Sequence, residues 1–209
     1  MNPPTHSQIK AIIFDFGNVL LEWNPRYVYQ RYFPNDPDAM ESFLQEVNFM
    51  EWNALQDQGR SFQEGVAVLS REFPQYSDLI QAYHDHWVDS LGDSIPGTVE
   101  IMKELKQAGF PLYGLSNWSA ETFPRAREKH EFFDLLDDFV ISGEVGHVKP
   151  QPEIFQIMLD RISRSAYECL FIDDALANIQ QAQKMGFAVV HFESPEQLRT
   201  RLVELKLLS

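Results

Sequence analysis

Asp15, Ser116, Lys149 and the pair Asp173-Asp174 share a setting: each stands at or just beyond the end of an apolar run. AIIF ends on Asp15, LYGLSN ends on Ser116-Asn117, and CLFIDD ends on Asp173-Asp174. Residues 139–141 lead through Ser142-Gly143 and a loop to Lys149-Pro150. If these runs are strands of one parallel sheet, their carboxyl ends lie along one edge, where open α/β sheets bind ligands. That edge would gather carboxylates, a hydroxyl and an ammonium. Crowded carboxylates repel and call for a cation. Hard oxygen ligands suit Mg²⁺, which commonly takes one or two carboxylates with substrate phosphate and water. The six histidines are scattered and the lone cysteine stands apart, so no cluster favours zinc. A metal beside one carboxylate screens its charge and lets it approach an anionic phosphate. The carboxylate can then attack phosphorus to give an aspartyl-phosphate, with Lys149 and Ser116 steadying the phosphoryl oxygens.

Taken singly, each residue has a plainer role. Asp15 ahead of Gly17-Asn18 reads as a turn residue, Ser116-Asn117 as the cap of a helix from Ser119, and Lys149 as a solvated lysine before a helix start. Two acids straight after Leu-Phe-Ile are costlier to explain, because buried charge needs a partner. The chemical reading rests on their common position at strand ends.

The elements that must position these groups are legible in the pattern. Strand-like runs at 11–14, 112–115, 139–141, 170–172 and 188–192 alternate with helical periodicity. Examples are Ile101, Leu105 and Ala108 after Pro96; Ile154, Met158 and Ile162 after Pro152; and Leu198, Leu202 and Leu205 after Ser194-Pro195-Glu196. Such alternation predicts a parallel sheet with helices on both faces. The segment from about 25 to about 91 breaks it and reads as helices only. Phe62, Val66, Leu69 and Phe73 form one stripe, opened by Ser61 with Glu64 three residues on, and Leu79, Tyr83, Trp87 and Leu91 form another. A helical insertion after the first strand lies near the ligand-binding edge, so residues 23–91 are expected to form a cap over a core of 1–22 and 92–209; the alternative is a packing module without substrate contact. Trp23, Tyr27, Trp52 and Trp118 fall near the expected mouth, where they could stack on a sugar or simply pack.

A net charge of −14, from 31 acidic and 17 basic residues, argues against a nucleic-acid footprint. It does not oppose a small phosphorylated metabolite, which local donors can capture. Cys169 is the one cysteine, in an apolar run, and reads as a buried thiol in a chain without intrachain disulfides. The start, MNPPTHSQIK, shows no signal peptide or membrane helix, so a cytoplasmic protein with no membrane partner is expected. Oligomeric state leaves no mark in the sequence.

FDFGNVL (14–20), LSN (115–117), VKPQPEIF (148–155) and FIDDALANI (171–179) together resemble the haloacid dehalogenase superfamily of phosphatases and related hydrolases. The resemblance covers nearly the whole chain. It implies a Rossmann-like core with a helical cap and a Mg²⁺-dependent aspartyl-phosphate mechanism. Asp15 would be nucleophile and metal ligand, Ser116 and Asn117 would bind the phosphoryl group, and Lys149 would bridge nucleophile and phosphate. Asp173 and Asp174 would hold Mg²⁺, directly or through water, with the carbonyl of Gly17. Phosphatases of the family usually carry a second Asp at the position of Gly17, acting as general acid and then base. Losing it costs roughly 100- to 10,000-fold in rate, and least where the leaving group is already good. The FDxGNV form is similar to a subgroup that includes α-glucose 1-phosphate phosphatase, whose anomeric leaving oxygen fits a missing acid. The 2-haloacid dehalogenases also lack that Asp, but they attack carbon and have no use for adjacent metal-binding acids. A catalytically weak relative that binds a phosphorylated ligand or a protein is the other alternative.

Overall fold

The first strand, β1 (Ala11–Phe14), is four apolar residues with no exposed side chain. A tight turn follows, in which the amides of Val19, Leu20 and Leu21 all donate to the Phe16 carbonyl and Asn18 takes a left-handed φ of 57°. Asparagine tolerates that conformation better than most residues. The computed structural model describes residues 9–209; most of the N-terminal segment expected to lack a leader lies outside them.

The chain then enters β2 (Leu21–Trp23) and a helical layer of α1 (Arg26–Tyr29), α2 (Pro37–Glu46), α3 (Phe49–Asp57), α4 (Phe62–Glu72) and α5 (Ser77–Asp85). It returns through β3 (Leu91–Ser94). From there helices and strands alternate: α6 (Pro96–Gln107), β4 (Leu112–Ser116), α7 (Phe123–Lys129), β5 (Asp138–Ile141), α8 (Ser142–Val145), α9 (Pro152–Ile162), β6 (Cys169–Asp173), α10 (Leu176–Met185), β7 (Ala188–His191) and α11 (Pro195–Glu204). Among the described residues no helix is long and apolar enough to cross a membrane.

The five strands β5-β4-β1-β6-β7 form one parallel sheet, with β1 in the centre. The side-chain period of two splits β1 between two cores. Ile12 and Phe14 pack with Ile101, Leu105, Leu198 and Leu202 of α6 and α11. Ala11 and Ile13 pack with Ile154, Phe155, Met158 and Ile179 of α9 and α10. Covered on both faces, the strands are continuous apolar runs, as parallel strands must be. Cys169 is buried in the second core, and burial pushes its thiol up to about 12.

The helical layer has its own aromatic centre. Tyr29 meets Phe43 with ring centroids 5.0 Å apart, and Phe49 meets Tyr83 at 4.8 Å. Ser61 caps α4 by accepting from the Glu64 amide at 3.1 Å, as its spacing predicts. The second stripe departs from expectation. α5 stops at Asp85, Trp87–Ser90 tightens into a 3-10 turn, and Leu91 opens β3. Leu91 pairs with Trp23 and Ser94 with Leu21 in an antiparallel ribbon, so strand pairing overrides the helical period there. Neither ribbon strand has a sequence signal, since runs of three and four residues carry almost no periodicity.

Candidate active site

Because β1 is central, Asp15 emerges at the middle of the carboxyl edge. β4 brings Ser116 on one side, and β6 brings Asp173 and Asp174 on the other. The loop after α8 returns Lys149 beneath them. Asp15 Oδ1 accepts from the Phe16 amide at 2.7 Å, from Ser116 Oγ at 2.9 Å and from Lys149 Nζ at 2.9 Å. Asp15 Oδ2 accepts no hydrogen bond among the described residues. Lys149, 4 % exposed, also donates to Asp173 Oδ2 at 2.6 Å. Burial opposes its charge, but the Asp15 and Asp173 carboxylates prevail and hold its pKa above the ordinary lysine value.

Asp173 is fully buried and engaged at both oxygens. Oδ1 accepts from the Ala175 amide at 2.8 Å and Asn178 Nδ2 at 3.0 Å, while Oδ2 takes Lys149. Asp174 is half-buried beside Asn18, and its backbone carbonyl meets His191 Nε2 at 2.8 Å. Burial, then the Asp173 charge, raises its pKa. Burial likewise pushes Asp15 up to about 7 against the pull of Lys149, with Asp173 and Asp174 adding to the rise. Asp15, Asp173 and Asp174 each offer a carboxylate oxygen, all within 4.8 Å of one another. Three carboxylates against one ammonium leave negative charge that a hard divalent cation would neutralise, so the donor set fits Mg²⁺.

Asn117 does something its sequence position did not reveal. Its Oδ1 accepts from the Lys149 amide at 2.7 Å and its Nδ2 donates to the Lys149 carbonyl at 2.9 Å. Both ends of the amide are spent holding the lysine's backbone.

These groups floor a cavity of about 320 Å³. Asp15, Gly17, Ser116, Asn117, Lys149 and Asp174 line it, whereas Asp173 lies behind it. A side chain at Gly17 would enter open space, since a Cβ there meets nothing within 4 Å. The helical layer supplies the opposite wall. Met50, Asn53, Ala54 and Asp57 line the cavity at i, i+3, i+4 and i+7, one face of α3. Trp23, Trp87 and Trp118 add aromatic surface. Of the four aromatics expected at the mouth, Trp23 and Trp118 are there. Trp52 is buried in the helical layer, donating Nε1 to the Gly65 carbonyl at 2.9 Å, and the Tyr27 hydroxyl turns to Glu22.

Asp57 holds α3 to the sheet. Its carbonyl accepts from Ser142 Oγ, and its carboxylate accepts from Asn53 Nδ2 at 3.0 Å. Burial pushes that carboxyl up to about 7, with the Ser119 backbone nearby working the other way. Asp57, Asn53, Trp87, Asn178 and His191 are the parts of this site that sequence reasoning missed. Asn178 alone had a signal, as a polar residue in the first turn of the helix after the acidic pair.

A family model described as haloacid dehalogenase-like hydrolase matches residues 9–186. A sesquiterpene phosphatase, astK of Aspergillus oryzae, is 29 % identical over 87 % of this chain and 89 % of its own. A D-ribitol-5-phosphate phosphatase of Bacteroides thetaiotaomicron is 24 % identical over 93 % of this chain and 97 % of its own. A crystal structure of a related enzyme from the same bacterium, solved with magnesium and inorganic phosphate, superposes with a TM-score of 0.65 at 20 % identity. It covers 89 % of this chain and 95 % of that one. The match from residue 9 to residue 186 takes in the helical layer and every strand that carries an acidic or phosphate-sized donor: this chain belongs to the haloacid dehalogenase-like hydrolases.

Proposed function

We propose that the protein is a Mg²⁺-dependent phosphatase of a small phosphorylated metabolite, working through an aspartyl-phosphate on Asp15. The observation that carries this is Asp15 itself: a buried carboxylate at the cavity floor, held through Oδ1 by a serine, a lysine and an amide, with Oδ2 unbonded. In this reading Oδ2 attacks phosphorus as the leaving oxygen departs, and water then attacks the aspartyl-phosphate to return the carboxylate. Lys149 and Ser116 bind the phosphoryl oxygens, and Asn117 contributes by fixing the Lys149 backbone. Asp173 orients Lys149. Asp15, the Gly17 carbonyl and Asp174 would hold the cation, with Asp173 behind them; when bound, it neutralises charge between nucleophile and phosphate. Residues 23–91 serve as the cap that walls the substrate.

A sugar phosphate fits the polar side of the cavity, which Asn18 and Asn53 line. The ribitol phosphate phosphatase among its relatives accords with that. The aromatic side favours a second reading, an apolar alkyl phosphate, in keeping with the sesquiterpene phosphatase. A dehalogenase could use Asp173 to hold Lys149 but would leave Asp174 without purpose.

The test is phosphate release from p-nitrophenyl phosphate and α-glucose 1-phosphate, with and without Mg²⁺. Release that needs Mg²⁺ and falls at least about 1,000-fold in Asp15→Asn is expected. Activity indifferent to chelator, or retained by Asp15→Asn, would reject the reading. No release by the folded protein would favour a binding role or halide chemistry.

A further inference from the structure

We propose that Asp57, on the α3 face that walls the cavity, is the general acid and base that the core lacks at Gly17. This rests on the phosphatase reading above and deepens it. A plain alkoxide leaves phosphorus slowly unless it is protonated as the bond breaks. Four titratable side chains line the cavity: Asp15, Lys149, Asp174 and Asp57. The first is the nucleophile. The second is paired with two carboxylates and keeps its charge. The third belongs to the cation cluster. Asp57 stands on the opposite wall, in the helical layer, with no ion-pair partner among the described residues. Asp15 and Asp57 line the same cavity from facing walls, and in this reading the leaving oxygen of a substrate anchored at Asp15 lies between them.

The position is built rather than incidental. Asn53 donates to the carboxyl, and Ser142 holds the backbone behind it. Tyr83 of α5 is the other titratable side chain close by, and burial keeps its phenol neutral. A carboxyl raised to about 7 is protonated often enough near neutrality to donate.

The balance closes. As Asp15 Oδ2 bonds to phosphorus, the bond from phosphorus to the ester oxygen breaks, and Asp57 gives its proton to that oxygen, releasing the alcohol. A water then attacks phosphorus, the Asp15–phosphorus bond breaks, and the water's proton passes to Asp57. Ester plus water becomes alcohol plus phosphate, with both carboxyls restored.

The experiment compares p-nitrophenyl phosphate, which needs little protonation, with n-butyl phosphate, which needs it fully. With Mg²⁺, Asp57→Asn should lower kcat/KM on n-butyl phosphate by about 100-fold or more while kcat/KM on p-nitrophenyl phosphate stays within about threefold, because kcat/KM ends at departure of the leaving group. On both esters kcat should fall, since hydrolysis of the aspartyl-phosphate also uses Asp57. Adding Gly17→Asp to that variant should restore part of the alkyl rate. Equal loss of kcat/KM on both esters, or no loss on n-butyl phosphate, overturns the role of Asp57 and leaves the phosphatase reading standing. If the wild type hydrolyses neither ester, both fall. If Asp57→Asn proves misfolded by circular dichroism, the wild type decides: a shallow fall in kcat/KM from p-nitrophenyl through phenyl to n-butyl phosphate is expected, and a steep fall overturns the proposal.

Discussion

At Gly17, an absent side chain is open to direct addition. The space above its Cα is empty, so Gly17→Asp should fold as the wild type does. It should raise turnover of n-butyl phosphate by about tenfold and leave p-nitrophenyl phosphate nearly unchanged, because only the poorer leaving group gains from a second acid. Equal acceleration of both esters would mean the new carboxylate acts on the phosphoryl group instead. Lys149 is the opposite case, a side chain that cannot be spared. Lys149→Met leaves Asp15 and Asp173 buried and facing each other without their cation, which should cost about 3 kcal/mol or more in urea unfolding. A variant as stable as the wild type would show that the pair does not depend on that ammonium.

At the scale of elements, the sheet strands were readable because a strand covered on both faces is a plain apolar run, and each run here ends on the residue that matters. The parts that escaped are those whose meaning depends on a partner element. Nothing in LSN announces that Asn117 grips the backbone of Lys149 thirty-two positions away. α3 hid its role because both its faces are used: Phe49 and Trp52 pack into the helical layer, while Met50 and Asp57 look onto the cavity. Its acid leaves a trace in stability. The Asp57 carboxyl sits at about 7 in the fold against an ordinary value of 3.8. A raised carboxyl contributes stability that is full below the ordinary value and is lost as pH climbs through the folded one. Asp57→Asn cannot ionise and escapes that loss. Thermal melts should therefore show the variant gaining on the wild type between about pH 4 and about pH 8; a gap that stays flat over that range would show that the folded pKa is not raised.

For the whole molecule, charge and connectivity matter most. A chain of net charge −14 that also crowds three carboxylates at one sheet edge should be held together better by a cation there. Mg²⁺ in large excess over its dissociation constant should raise Tm by several degrees in the wild type and much less in Asp174→Asn, which gives the cation site a readout independent of turnover. Equal shifts in both would point to loose surface binding. The ribbon of β2 and β3 has a different kind of consequence. Trp23 and Leu91 are strand neighbours, so the chain leaves the core and rejoins it at points one strand spacing apart, about 5 Å. Splicing a long segment into a gap that narrow adds little closure entropy, and lengthening it further adds only its logarithm. The doorway can thus admit helical layers of very different size and lining without the sheet or its acids having to change. For a lineage of such proteins, new substrates could be acquired by exchanging what is threaded through that doorway while the reaction beneath is inherited intact.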